Sequence, residues 1–503
     1  MIKDIDNFAE RELLIPITEL MERSGNAVAS AVRRIAPVGS RIVFLCGCGN
    51  NGGDGYAAAV KLLCDFDVKI YDVFDRGQKS EAGSLWRSEY IKLGGIVSSG
   101  LPSSQVIDEG ADVIVDAIFG TGFSGEVPEE IAELSRYVNT KSEVKVVSVD
   151  IPLGISADDG SASDFALHSD ITVSLSFPKV AMFSYPAKGY LGEVVFDSLS
   201  LDVKSICGKF DFKNQSVDFS LARELLPIRC DNTNKGSFGK ALLMVGSREY
   251  MGAAALSLEA ALRGGAGYVT YLGEVELCDQ LLSKFPEAIY KRSSLYDIDF
   301  VLSACEKQSS ILIGSGSGCS SDVYEVIKAL VLTEGAPLVI DADGINSISR
   351  YGNVEILKSA KRTVILTPHP LEFSRISGLS VEYINANRYS ASKSFAAEYG
   401  CVLLLKGAAT IVTDGDLTYI NGSGSSALAK AGSGDVLSGL LVSILAYNKS
   451  PIEATALAAY IHGRCGDRLA DEYSSYGVTP SDIPQIASKI MAEIEKGECD
   501  GVS

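Results

Sequence analysis

Positive charge and histidine are scarce in this chain. Against 64 Asp and Glu there are only 45 Lys and Arg among 503 residues, a formal net charge of −19, and no basic run occurs anywhere. Such a balance offers no broad attraction to phosphate backbones or anionic lipid, so neither nucleic acid nor a membrane surface is expected as a partner. The three histidines, His168, His369 and His462, are not spaced as paired ligands, and the 11 cysteines are mostly scattered singly. A zinc site and a disulfide framework are both disfavoured. No apolar run reaches the ~18 residues a membrane-spanning helix needs. The opening Met1-Ile-Lys-Asp-Ile-Asp carries charge where a secretory leader has an apolar core. We expect a cytoplasmic protein, and a homo-oligomer.

A hydrophobic fraction of 46% with 22% charged residues leaves ample apolar surface to bury. Global disorder is excluded, and the length exceeds one compact core. Apolar runs recur at 41–46, 68–74, 112–119 and 144–150, each ending near Gly or Asp and followed by a helical stretch. Apolarity that is continuous rather than alternating predicts strands buried on both faces of a parallel sheet. Leu20, Ala27, Val28, Ala31, Val32 and Ile35 fall on one helical face that would cover it. The pattern lapses through the polar stretch 208–216 and restarts at 240–246, 310–314, 337–341, 363–367 and 401–406. Two α/β domains, 1–215 and 216–503, are expected, without a shared repeat.

The first predicted strand runs into Gly47-Cys-Gly-Asn-Asn-Gly-Gly-Asp-Gly55, which contains a formal G-x-G-x-x-G, with Asp72 at the next strand. That is the layout of a dinucleotide fingerprint. Asn50, Asn51 and Asp54 depart from it, because hydride transfer asks only for backbone amides there. Their oxygens suggest a loop that coordinates a cation or grips hydroxyls; a plain strand-to-helix packing turn is the alternative. Asp116 and Asp150 stand at the ends of apolar runs. A buried carboxylate must be paired, bind a cation or shift its pKa, unless it merely caps the next turn. Lys179, after a strand, is either a proton carrier or a solvated surface lysine.

In the second half, Ala431-Gly-Ser-Gly-Asp435-Val-Leu-Ser-Gly439 opens a long apolar helix. Exposed amides at a helix start favour an anion. Asp435 in the first turn is then either the base of a phosphoryl transfer or a residue complementing the helix dipole. Other strand ends carry Asp341-Ala-Asp343-Gly-Ile-Asn346, Thr367-Pro-His369-Pro-Leu-Glu372 and Lys406-Gly-Ala-Ala-Thr410. His369, held between prolines, is displayed rather than packed unless its role is structural.

These motifs resemble two families. Asn-Asn-Gly-Gly-Asp-Gly at 50–55, the Asp116 to Gly122 strand end and Asp-Ile-Pro at 150–152 resemble the NAD(P)H-hydrate epimerases, whose fold is a Rossmann-like doubly wound parallel sheet. The resemblance implies substrate contacts from Asn50, Asn51, Gly52, Gly53, Asp54, Gly120, Thr121, Gly122, Phe123, Ser124, Gly125 and Glu126. It also implies K⁺ ligands at Asn51 and Asp116, and an acid/base at Asp150. Leu153 stands where that family has a small hydroxyl residue, so a potassium contact there would be by backbone only. Residues 235–239, 314–318, 341–346, 367–372, 406–410 and 432–439 resemble the ribokinase-like ADP/ATP-dependent (S)-NAD(P)H-hydrate dehydratases. That implies hydrate contacts from Ala253, Gly318 and His369, nucleotide contacts from Lys406, Gly407, Ala408, Ala409, Thr410 and Gly434, and Asp435 as base, with Mg²⁺. Ser237 replaces a frequent Asp and is expected to alter contacts at the edge of the site; Gly344 and Leu371 are further departures. The combination implies repair of NADH-hydrate and NADPH-hydrate with ADP as co-substrate. A ribokinase-type small-molecule kinase and a non-enzymatic nucleotide sensor are the rival readings. The kinase would leave the first domain unexplained, and the sensor could dispense with Asp150 and Asp435.

Overall fold

A computed structural model describes residues 2–74, 80–122, 126–202, 206, 209–295 and 297–498. The chain divides into two compact units, Met1–Phe212 and Lys213–Ser503.

The first unit is built on a seven-stranded parallel sheet. Its strands are β1 (Arg41–Cys46), β2 (Asp67–Asp72), β3 (Ile96–Ser99), β4 (Val113–Ala117), β5 (Lys145–Val149), β6 (Ile171–Leu175) and β7 (Glu193–Asp197), in the order β3-β2-β1-β4-β5-β6-β7. β4 is buried along its whole length and β1 from its second residue on, as their unbroken apolarity requires. The helix Asn50–Leu62 packs on both, and the helix Ile17–Ile35 packs on it and on β5, β6 and β7, burying Leu20, Met21, Val28, Ala29, Ala31 and Val32, while Ala27 and Ile35 lie half-buried at its margin. The strand order reverses between β1 and β4. A crevice opens there beyond the carboxyl ends of the strands, which is where open α/β sheets bind ligands.

The second unit carries a ten-stranded sheet in the order β11-β10-β9-β12-β13-β14-β15-β16-β17-β8. The strands are β8 (Asn214–Ser216), β9 (Lys240–Met244), β10 (Tyr268–Gly273), β11 (Ile289–Arg292), β12 (Ser310–Ile313), β13 (Leu338–Ile340), β14 (Val364–Leu366), β15 (Val402–Leu405), β16 (Thr410–Thr413) and β17 (Thr418–Asn421). β9 to β15 run parallel with their neighbours; β15-β16 and β16-β17 are antiparallel hairpins. The helix Ser433–Leu445 is buried almost all round, so its apolar composition shows no polar face. No helix among the described residues is long and apolar enough to cross a membrane.

The units part just before β8, which adds in parallel to β17 through Asn214, Gln215 and Ser216. A cut between 215 and 216 would split that edge strand. A fragment starting at Lys213 is therefore expected to melt cooperatively, and at a higher temperature than one starting at Val217. Equal melting temperatures by calorimetry would show that β8 contributes nothing to the second unit.

Candidate functional site

In the first unit a cavity of about 550 Å³ occupies the crevice beyond β1 and β4. Asn50, Asn51, Asp54, Gly120, Thr121, Gly122, Glu126 and Asp150 line its polar side; Ile17, Leu20, Met21 and Phe74 line the apolar one. Asn51 donates from Nδ2 to the Phe119 carbonyl at 2.9 Å, fixing its amide against the turn after β4. Asp150 follows β5 with φ of 69°, a left-handed conformation that costs a residue bearing a Cβ of order 1 kcal/mol or more. Three contacts hold it there. Oδ2 accepts the Thr121 N–H at 3.3 Å, Oδ1 accepts the Leu175 N–H at 3.4 Å, and the Lys179 ammonium pairs with Oδ1. Lys179 also donates to the Leu175 carbonyl at 2.6 Å and is buried, so it is not a solvated surface lysine.

Asp116 is fully buried beneath the cavity. Its Oδ1 accepts the Ile118 N–H at 3.2 Å, and Oδ2 accepts the Leu153 N–H at 2.8 Å and the Ser148 hydroxyl at 3.2 Å. Burial pushes its carboxyl up to about 6, against those three donors, and no Lys or Arg reaches it among the described residues. Asp116, a carboxylate without a protein cation among the described residues, and the amide oxygen of Asn51 are the groups here that could hold a cation. Leu153 is buried; its carbonyl accepts the Leu167 N–H at 2.9 Å.

Several expectations need correction here. The Asn50 to Asp54 segment is not a loop but the first turn of the helix Asn50–Leu62. Gly52 and Gly53 do not line the cavity, because they are packing glycines. A Cβ on Gly52 would meet the Gly47 carbonyl oxygen, and one on Gly53 would meet Met21 and Gly83. Asp72, placed to bind a ribose in a dinucleotide fingerprint, is instead paired with Arg87 at 3.0 Å. Phe123, Ser124 and Gly125 lie outside the described residues.

In the second unit the predicted strand ends converge on one buried carboxylate. Asp341, just after β13, accepts Thr367 Oγ1 at 2.7 Å and Lys406 Nζ at 2.8 Å on Oδ1. On Oδ2 it accepts Ser315 Oγ at 2.9 Å and Ser438 Oγ at 2.7 Å. Burial raises this carboxyl, yet Lys406 and the hydroxyls outweigh it and hold the group below the usual range. Lys406 in turn stays protonated because Asp341, Glu372 and Asp435 offset its burial. Gly434 lies beside Lys406, since a Cβ there would stand 3.2 Å from Nζ. Asp343 accepts the Gly318 N–H at 2.9 Å, and Gly316 packs against Ala253 and Tyr250, which brings the Gly314 to Gly318 turn and Ala253 together.

Asp435 is the third residue of the helix Ser433–Leu445. Burial first, then the charges of Asp341, Asp343 and Glu372, push it up to about 6, with Lys406 opposing. Its carboxylate accepts no hydrogen bond from the described residues, so it caps nothing. His369 is a helix N-cap whose Nδ1 accepts the N–H groups of Leu371 and Glu372 at 3.1 and 3.3 Å. The proton therefore sits on Nε2, 3.3 Å from the Glu372 carboxylate, with the ring half exposed. Burial and the nearby Lys406 and Arg375 charges keep it neutral. Gly407 and Ala408 are exposed on the β15-β16 turn, whereas Ala409, expected to contact nucleotide, is fully buried. Thr410 donates from Oγ1 to the Gly407 carbonyl at 3.2 Å. Ser237 is not at the edge of the site. It sits in the turn Lys235–Phe238 that leads into the start of β9, whereas the site lies beyond the strands' carboxyl ends.

Two residues with no assigned role from sequence support this arrangement. Ser438, on the exit turn of the Gly-rich segment, ties the Asp435 helix to Asp341; its position one turn after Asp435 was the available signal. His462 is buried, donates to the Ser433 carbonyl at 3.0 Å and is held neutral by burial at about 4. Nothing in the sequence near His462 marks it.

A family model described as NAD(P)H-hydrate dehydratase matches residues 241–489, and one described as YjeF-related protein N-terminus matches 17–181. Bifunctional NAD(P)H-hydrate repair enzymes from Thermofilum pendens and Escherichia coli are each 30% identical to this chain, over 98% and 95% of it and 96% and 90% of their own lengths. The chain belongs to this family of bifunctional repair enzymes. Among solved structures, an ADP/ATP-dependent NAD(P)H-hydrate dehydratase from Bacillus subtilis, co-crystallised with ATP and Mg²⁺, matches with a TM-score of 0.51 and 28% identity. It covers 56% of this chain and 99% of its own. A ribokinase-like superfamily protein from Enterococcus faecalis matches with a TM-score of 0.51 and 27% identity, covering 57% of this chain and 98% of its own. The second unit is thus a ribokinase-like α/β domain.

The raised carboxyl of Asp435 has a measurable consequence. The folded chain holds this proton more tightly than the unfolded chain, whose Asp titrates near 3.8, so ionisation above about 6 costs folding stability. Asp435→Asn is expected to raise the melting temperature by a few degrees at pH 8, with the gain shrinking through pH 6 and gone near pH 4. A helix-dipole role for the carboxylate would give a lower melting temperature at neutral pH instead.

Proposed function

We propose that this chain repairs the hydrated, redox-inactive forms of NADH and NADPH, the first unit epimerising the hydrate and the second dehydrating its S form with ADP. The observation that carries this reading is Asp435: a carboxylate with no hydrogen bond from the described residues, pushed up to about 6, at a helix start beside Lys406. A general base works best when its pKa lies near the working pH.

In the epimerase cavity the 6-hydroxyl leaves as the ring nitrogen's lone pair forms an iminium. Water then returns to either face of C6. Asp150 is placed to exchange the proton with that water, while Lys179 and the Thr121 amide hold its carboxylate in the strained conformation that faces the cavity. Asn51 and Asp116 would hold a potassium ion, which supplies the missing positive charge beside Asp116.

In the dehydratase site Asp435 takes the proton of the 6-hydroxyl as its oxygen attacks the terminal phosphoryl of ADP, and AMP leaves. Loss of a C5 proton with expulsion of phosphate from C6 restores the dihydronicotinamide. Lys406 and the amides at the start of the Ser433–Leu445 helix face developing negative charge. His369 and Gly318 border the hydrate. No group of three or more His, Cys, Asp or Glu among the described residues forms a metal cage, so Mg²⁺ would arrive with the nucleotide's phosphates, whose charge it offsets. ATP replaces ADP in the same arithmetic, and the dual naming of the Bacillus relative leaves both nucleotides in play. Such chemistry suits a cytoplasmic enzyme.

The test is to incubate the chain with mixed NADH-hydrate epimers, Mg²⁺ and ADP or ATP, and follow the reduced-nicotinamide absorbance. Full conversion is expected for wild type. Asp150→Asn should consume the S form and leave the R form, at roughly a hundredfold lower epimerisation rate or less. Removal of potassium should slow epimerisation more than dehydration. Full, fast conversion by Asp150→Asn, with spontaneous epimerisation subtracted, would remove Asp150 from the chemistry.

A further inference from the structure

Arg388 opens the helix Arg388–Tyr399 and is only 5% exposed, yet it has no acidic partner among the described residues. A guanidinium buried without a carboxylate is an expensive arrangement. Burial lowers its pKa to about 10, so it remains a cation at neutral pH. Among the described residues its Nε makes no hydrogen bond, nor does the buried hydroxyl of Ser392 one helical turn on.

What Arg388 does instead is hold a turn. Nη2 donates to the carbonyls of Leu405 at 3.2 Å, Lys406 at 3.0 Å and Ala409 at 3.4 Å, all in the connection between β15 and β16. Gly407 lies flat against the guanidinium, where a Cβ would meet Nη2 and Cζ, which is why this position excludes a side chain. The Gly407 carbonyl is taken by Thr410 Oγ1. In a trans peptide the N–H of one residue points opposite to the carbonyl of the residue before it. With the carbonyl of Lys406 drawn towards Arg388, the Gly407 N–H points away from it. The carbonyl of Gly407, drawn to Thr410, likewise leaves the Ala408 N–H directed away from Thr410. Both residues are exposed, and neither N–H has a partner among the described residues.

We propose that Arg388 is a positioning residue of the nucleotide site, turning the carbonyls of the 405–409 turn inward so that the amides of Gly407 and Ala408, backed by a buried positive charge, face an anionic adenine nucleotide. The inference rests on the proposed dehydratase reading. It explains both oddities together: the charge lacks a protein counter-ion because its counter-ion is the ligand, and the turn requires glycine because the guanidinium packs flat beneath it.

The experiment is calorimetric titration of the full-length chain with Mg-ADP and Mg-ATP in the absence of hydrate, for wild type, Arg388→Lys and Arg388→Met. Arg388→Met is expected to bind nucleotide roughly tenfold more weakly, and Arg388→Lys, which keeps the charge on a shorter side chain without the planar guanidinium that packs against Gly407, to fall between. In steady state the nucleotide KM should rise while the hydrate KM and kcat at saturation hold. Millimolar guanidinium added to an Arg388→Ala variant should recover part of the affinity. A purely structural arginine would lower the melting temperature and leave the nucleotide Kd of the folded protein unchanged, and that outcome overturns the inference. Should Arg388→Met fail to fold, Arg388→Lys carries the same comparison. If wild type itself binds neither nucleotide, it is the dehydratase reading that falls.

Discussion

The second unit depends on the four hydrogen bonds made to one buried carboxylate. Asp341 takes a hydroxyl from beyond β12, one from beyond β14, one from the Ser433–Leu445 helix and the ammonium of Lys406 beyond β15. Each donor sits on a different element, so the group fixes the spacing of four strand ends and of the helix that carries Asp435. Removing any one donor leaves a buried charge short of a partner, which is costly in proportion to the low dielectric around it. The same charge reaches Asp435. Burial already pushes the Asp435 carboxyl upward, and the charge of Asp341, kept ionised by its donors, adds to that push without touching it.

The first unit solves a related problem differently. Asp150 is not surrounded by hydroxyls; it is held by backbone N–H groups and one buried lysine, on a backbone conformation that an L-residue rarely adopts. Strain of that kind persists when neighbouring contacts over-determine it, and it aims the carboxylate into the cavity. Asp116 sits in another environment, a carboxylate raised by burial with no protein cation to meet it among the described residues. Side by side at the switch point, the two acids have different environments and therefore suit different tasks.

The sequence made much of this legible, and its failures have physical causes. Central strands such as β1, β4, β9 and β12 read clearly because both faces are buried and the apolar run is continuous. The edge strands β3 and β11 escaped, because exposed edges need no continuous apolarity and Ile96 and Ile289 remain largely exposed. β8 escaped because three polar residues form it, specified by pairing with β17 rather than by burial. The acids that end apolar runs were legible as positions: Asp150 stands on the cavity wall and Asp116 is buried. Gly52 and Gly53 pack closely in their helix and do not line the cavity, and a glycine demanded by helix packing has the same letter as one demanded by a ligand. Arg388 and His462 carried no local signal: their roles exist only once the turn and the helix they support have come together.

The charge distribution at the second site also dictates the order of the chemistry. Asp341, Asp343, Glu372 and Asp435 stand together against Lys406 as their nearby cation, so a bare polyphosphate is repelled by the same carboxylate that is proposed to accept the proton. Outward-facing amides at the β15-β16 turn and the helix start attract phosphate without adding mobile counter-charge, and a divalent ion on the nucleotide offsets the rest. Arrival of that charged complex changes Asp435 in two opposing ways. Phosphate raises its proton affinity and the metal lowers it, so the base is strongest when phosphate charge is least neutralised. In the proposed mechanism, proton uptake by Asp435 would then be coupled to phosphoryl transfer itself, as negative charge moves to the departing AMP.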